Sequence, residues 1–221
     1  MGRYVLHGQP GWGSVIVEAQ LSALGLPFEF VEVGNLFESE EARRTLGRVN
    51  PLAQVPALVL PDGTLMTESA AITLHLAEAT GRDDFVPPPG HAARPAFLRW
   101  LVFLVANVYP TFTYADEPKR FVPGNEEAAK AFGQAVDAYR CRLWQMVAPA
   151  VTPAPGAPWF LGGRFSALDL YVATMTHWRP GRPWFDQNAP ALAAIAEGVK
   201  GDERFRAVWQ RNFPRDFAAA G

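Results

Sequence analysis

Apolar residues recur along this chain in two rhythms, and the change of rhythm marks its elements. Tyr4-Val5-Leu6 is a short apolar run that breaks at Gly8, and Ser14 then opens a stretch through Val17, Leu21 and Leu24 that stops at Gly25. That pattern predicts a strand and then a helix. Pro27 to Val33 alternates, with Phe28, Phe30 and Val31 set against Glu29 and Glu32, and predicts a second strand. Ser39 to Arg48 has a serine start and helical charge. Pro56 to Leu60, the turn Pro61-Asp62-Gly63 and Leu65-Met66 predict a hairpin, its turn chemistry supplied by the Asp-Gly pair. A further helix is predicted from Ser69 through Ile72, Leu76 and Ala79.

The order βαβ, then a helical connection, then ββα fits a thioredoxin-like half-sheet with helices on both faces. Beyond it the pattern is helical throughout. Phe97, Leu101, Leu104 and Val108 form one stripe, and Phe132, Val136, Tyr139, Leu143 and Met146 form another; both are expected to be core. Gly81-Arg82-Asp83-Asp84 and Pro87-Pro88-Pro89-Gly90 suit neither a helix nor a central strand. The fold expected is therefore α/β plus all-α. It comprises a thioredoxin-like domain over residues 1–80, a linker over 81–92 and an all-helical domain over 93–221. Thr152-Pro153-Ala154-Pro155-Gly156-Ala157-Pro158 reads as an extended surface loop inside the second part.

Composition narrows the class. Hydrophobic residues make up 49% of the 221 and charged residues 19%, which excludes a disordered chain. The net charge of −2 offers no overall attraction to phosphate backbones or anionic lipid, so neither nucleic acid nor a membrane is the expected partner. The most apolar stretch, Leu101 to Val108, is far short of the ~20 residues that cross a bilayer. With a single cysteine, Cys141, no internal disulfide can form, and the chain is expected to be soluble and cytoplasmic. His7, His75, His91 and His177 are scattered, without the spacing of a metal site.

The candidate chemistry lies in three segments. The loop Gly8-Gln9-Pro10-Gly11-Trp12-Gly13-Ser14 sits between strand and helix, where phosphate loops occur, but no lysine follows its glycines and Ile16 stands where a dinucleotide loop has its third glycine. What remains is a helix N-terminus with N–H groups and the Ser14 hydroxyl, able either to stabilise negative charge or simply to cap the helix. Pro56 after Val55 opens a strand, a position that proline tolerates. Glu68-Ser69 precedes a helix, so Ser69 offers a hydroxyl and N–H groups to a carboxylate while Glu68 suits an ammonium beside it; a capping serine behind a solvated glutamate explains the same pair without a ligand. Ser166 and Asp169 resemble a capping box and are read as structural.

The segment Asn50-Pro51-Leu52-Ala53-Gln54-Val55-Pro56, followed by Thr67-Glu68-Ser69-Ala70-Ala71-Ile72, resembles the amino-terminal domain of the cytosolic glutathione transferases. The likeness continues in Gly25-Leu26-Pro27-Phe28 and in Phe160 to Asp169, and Phe97-Leu98-Arg99-Trp100 with Asn107-Val108-Tyr109-Pro110 look like the bacterial branch. The resemblance implies glutathione as co-substrate and a cis Val55–Pro56 bond, which would turn the Val55 N–H and C=O toward the extended tripeptide. It also assigns the γ-glutamyl zwitterion to Glu68 and Ser69, with Gln54 adding a hydrogen bond. A thiol of pKa near ~8.5 must be helped to ionise. Alignment on Gly25 puts the family's usual hydroxyl position at Gly11 or Trp12, so the nearest donor is Ser14, with the Gly13 and Ser14 N–H groups as the alternative. Trp12, Tyr109 and Phe112 are candidates for an apolar second-substrate site, or else core. The expectation is a glutathione transferase acting on a hydrophobic electrophile, and a homodimer by analogy. A non-catalytic binding module, or a glutathione-dependent lyase, isomerase or peroxidase, stays open.

Overall fold

The structure is a computed structural model that describes residues 2–152 and 154–217. It divides into two compact units, one built from the chain up to Val86 together with the segment from Val199 onward, the other from Pro87–Gly198. The segment from Val199 onward, expected within the helical domain over 93–221, thus groups with the first unit.

In the first unit, β1 (Tyr4–Gly8), β2 (Phe28–Glu32), β3 (Ala57–Val59) and β4 (Leu65–Met66) form one sheet in the order β2-β1-β3-β4. β1 runs parallel to β2 across the helix α1 (Ser14–Ala23) and antiparallel to β3, and β3 is antiparallel to β4. The alternation read in the sequence has its usual consequence: Tyr4 and Leu6 face one side and pack with Val17 and Leu21 of α1, Leu58, and Ile72 and Leu76 of α3 (Ser69–Thr80). Leu6, Val17, Leu21, Leu58, Ile72 and Leu76 are sealed completely from solvent. Each such side chain contributes roughly 1.5–3 kcal/mol on burial. α2 (Glu40–Gly47) starts at Ser39, whose hydroxyl accepts from the Ala42 N–H at 3.1 Å, with Glu40 and Glu41 at the positive end of the helix. α3 ends at Gly81 in a left-handed conformation (φ 65°), and the Arg82 N–H closes the turn on Ala77 O.

The second unit holds α4 (Arg94–Phe103), a π-helical turn at Leu104–Val108, α5 (Tyr109–Asp116), α6 (Glu126–Val147), α7 (Ala167–Met175) and α8 (Arg182–Asn188). The π turn has a local cause. Pro110 cannot donate to the turn before it, and one wider turn carries the helix past that gap. The continuous helical run Arg94–Asp116 is 23 residues long and, by length and composition alone, apolar enough to cross a membrane. The sequence estimate, which considered only the uninterrupted apolar residues, understated it. The stripe Phe97, Leu101, Leu104 and Val108 is buried, as a core helix requires.

The α6 stripe needs correction. Tyr139 is 42% and Met146 59% exposed, while Arg140 and Trp144 are buried beside Val136, Leu143 and Val147. The buried face is rotated because a charged residue occupies it. Arg140 donates to Thr111 Oγ1 (2.8 Å), Thr111 O (2.7 Å) and Asp137 Oδ1 (2.7 Å), and its guanidinium lies 4.4 Å from the Phe112 ring centre. With its donors satisfied, the cation tolerates burial. Of the proline-rich loop, Pro153 lies outside the described residues.

Candidate functional site

Strand register gathers the three candidate segments of the first unit. His7 pairs with Ala57 and Leu58 with Met66, so continuing each ladder sets Gly8 opposite Pro56 and Pro56 opposite Glu68. The glycine loop after β1, the Val55–Pro56 bond before β3 and the Glu68–Ser69 pair after β4 thus meet at one end of the sheet.

The glycine loop is tightly specified. A Cβ on Gly8 would stand 2.6 Å from both Cβ and Oγ of Ser14, so only glycine lets α1 begin this close to the strand. Ser14 is fully buried; its hydroxyl donates to Gln9 O and accepts from the Gln9 N–H, each at 3.0 Å. Its one proton is committed within the loop. The Trp12 N–H donates to Gln9 O at 3.1 Å, and the Gly11 N–H, at φ 76°, donates to Asn212 Oδ1 at 3.0 Å. Among the described residues the N–H groups of Gly13 and Ser14 have no acceptor, and they stand at the positive end of α1. The Trp12 ring rests 4.8 Å from that of Phe37.

The Val55–Pro56 bond is cis. Among the described residues the Val55 N–H and C=O have no hydrogen-bond partner, although β3 begins two residues later. The turn in front is held by Asn50, a buried residue whose side chain donates to Gln54 O at 2.8 Å and accepts from the Leu52 N–H at 3.1 Å. Gln54 itself is exposed. Glu68 has a left-handed backbone (φ 62°, ψ 100°), which costs a non-glycine residue on the order of 1–3 kcal/mol, and its side chain is exposed beside the buried Ser69. α3 is tied to α1 beneath this pair, since Gln20 donates to Thr73 Oγ1 and Thr73 donates to Ser69 O, both at 2.9 Å.

Sequence reasoning gave no role to Asn50, Asn212 or Glu18. For Glu18 a signal existed: a carboxylate in the apolar run Val15-Ile16-Val17-Glu18-Ala19 has to find a partner. It is 2% exposed, burial pushes its pKa up, and Arg211 and Asn212 pull it back. Tyr109 and Phe112 lie in the second unit, where Trp178 packs edge-on against them at 5.6 and 4.8 Å. Phe112 is buried and Tyr109 half-buried. Among the described residues no group of three or more histidine, cysteine or acidic side chains could hold a metal.

Residues 16–79 match the family model for the glutathione S-transferase N-terminal domain. The chain is 41% identical over 207 residues to an uncharacterized GST-like protein, YncG, of Escherichia coli K12, covering 94% of this chain and 97% of that one. The chain belongs to the glutathione transferase family. Among solved structures, a Sphingomonad glutathione S-transferase complexed with glutathione is 26% identical with a TM-score of 0.72, over 93% of this chain and 97% of that one. A glutathione transferase homologue from Sulfitobacter, with bound glutathione, shares the fold at a TM-score of 0.78 and 20% identity, over 94% and 97% of the two chains. The matched region holds the cis proline and the Glu68–Ser69 pair and leaves out the glycine loop.

Proposed function

We propose that this chain binds glutathione at the sheet end and transfers its thiolate to a hydrophobic electrophile. The observation that carries the proposal is the unpaired N–H and C=O of Val55, framed by Glu68–Ser69 on one side and the N-terminus of α1 on the other. The cysteinyl backbone pairs with Val55 as one more strand would. The γ-glutamyl ammonium meets Glu68 and its carboxylate meets the Ser69 hydroxyl and the first N–H groups of α3, with Gln54 reaching the tripeptide from the preceding turn. Glutathione bound to family relatives supports this reading.

The thiol gives its proton to solvent and the N–H groups of Gly13 and Ser14 stabilise the thiolate that is left, while the Ser14 hydroxyl, bonded to Gln9 O, shapes the loop that presents them. The thiolate attacks the electrophilic carbon, the S–C bond forms and the bond to the leaving group breaks with its electron pair. Trp12, on the glycine loop, offers aromatic surface to that second substrate, whereas Phe112 is buried against Arg140 and Trp178; the active form is a homodimer. A second reading, a glutathione-binding module without turnover, is favoured by the committed Ser14 proton alone.

Calorimetry with glutathione, paired with conjugation of an aryl halide, separates the two. We expect binding that weakens roughly tenfold or more when the pair is removed in Glu68→Ala/Ser69→Ala, together with turnover. Binding without turnover establishes the module, and no heat from the native chain removes glutathione from the account. Ser14→Ala loses both bonds to Gln9 and should raise the thiol pKa of the bound tripeptide by about one unit while speeding exchange at Gly11 and Trp12; loss of the thiolate with loop exchange unchanged would return the thiolate role to the hydroxyl.

A further inference from the structure

The segment that the contacts assign to the first unit carries α9 (Arg206–Asn212), and that helix ends on the glycine loop. Glu18 lies at its centre. Arg211 pairs with one Glu18 oxygen, and the Asn212 amide donates to the other at 3.1 Å. The same amide donates to Val208 O at 2.8 Å, while its oxygen accepts the Gly11 N–H at 3.0 Å. Asn212 is only 7% exposed, and its orientation is fixed by these partners. Turned over, it would aim N–H at N–H and oxygen at a carboxylate and a carbonyl. The Arg211 guanidinium is further held 4.4 Å from the Phe30 ring centre, on the strand beside β1.

We infer that Asn212 is a positioning residue of the glutathione site: anchored on Glu18, it holds the Gly11 N–H and so fixes the loop that aims the Gly13 and Ser14 N–H groups at the thiol. This rests on the function proposed above. Gly11 needs an external acceptor because its backbone is left-handed, and Pro10 before it has no N–H with which to brace the turn. Asn212 accepts that N–H, and it lies 201 positions away in the chain. Loop geometry at the first helix is therefore set from the far end of the chain.

The test uses the whole 221-residue chain, with Asn212→Ala, Asn212→Asp, and Glu18→Gln/Asn212→Asp, a pair that restores a donor facing an acceptor. Two readouts are taken. Hydrogen exchange on the unliganded chain needs no glutathione: Asn212→Ala should speed exchange at Gly11 and Trp12, the bonded N–H groups of the loop, about tenfold or more and leave β3 and α3 unchanged. With glutathione bound, the thiol pKa read from a thiolate absorbance titration should rise by about one unit. Affinity for the tripeptide should change less than about threefold; Asn212→Asp, with its oxygen against Glu18 and Val208 O, should show the shift, and the double variant, which restores the bond to position 18 alone, should recover part of it. Equal loss of protection across the whole first unit, or unchanged exchange in the loop, overturns the inference and reduces Asn212 to a structural contact. If the native chain binds no glutathione, the proposed function fails, and the exchange result still decides whether Asn212 orders the loop.

Discussion

Gly8 and Ser14 are a matched pair, and each explains the other. The 2.6 Å separation between a hypothetical Gly8 Cβ and the Ser14 side chain lies well inside van der Waals contact, and Phe30 stands at 2.9 Å on another side. Gly8→Ala should therefore cost about 1–3 kcal/mol in urea unfolding, by overpacking, and loosen the loop. Gly8→Ala/Ser14→Ala should recover only part of that cost, because the Cβ clash remains while the bonds to Gln9 are lost. At this scale the sequence was legible where chemistry depends on residue type and opaque where it depends on direction. Ser14 stood out as a hydroxyl at a helix start, but whether its proton faces a ligand or Gln9 O depends on a turn that residue types alone leave open. The same holds for Gln54, readable as a polar side chain in the motif, and for Asn50, whose role lies in two bonds to its own turn.

Among the elements, α7 shows how much a cap can carry. Asp169 is completely buried and accepts from the Phe160 N–H and the Ser166 N–H, each at 2.7 Å, with the Ser166 hydroxyl at 3.3 Å. Ser-x-x-Asp signalled this box in the sequence; the added bond to Phe160 was invisible because it joins the helix to a loop residue. Asp169→Ala strands two buried donors and should cost about 2–5 kcal/mol, more than the ~1 kcal/mol of a simple cap. Burial raises the Asp169 pKa to about 7 against the donors that oppose it. Between about pH 4 and pH 7 the folded chain keeps a proton that the unfolded chain releases, so this group's contribution to stability falls as pH rises through that window. The stability gap between the native chain and Asp169→Asn should accordingly narrow from pH 4 to pH 7 in urea titrations. The element pattern itself was readable almost throughout, since its periodicities are local. α6 was the exception: Arg140 reads as surface by type, and only its bonds to Thr111 and Asp137 make its face an inner one.

For the molecule as a whole, the division into units could not be read from composition. The proline-rich stretch before α4 marks a real break, yet the first unit draws in residues from Val199 onward through contacts such as Glu18 with Arg211 and Asn212. Such pairings span almost the entire sequence and leave no periodic trace. A chain ending at Phe205 would bury Glu18 without its partners, and an unpaired buried carboxylate costs about 3–5 kcal/mol. Its first unit should melt earlier than that of the full chain, measured as lost protection in the sheet, while protection of α6 and α7 stays near the native level.

The discontinuity also sets an order in time. On the ribosome the glycine loop and α1 emerge long before Arg211 and Asn212 are made, so throughout synthesis Glu18 has no guanidinium to meet and the Gly11 N–H no amide. The sheet can form early, but the loop acquires its final shape only after translation has passed Asn212, and a nascent chain stalled before it would carry the glycine loop unfinished.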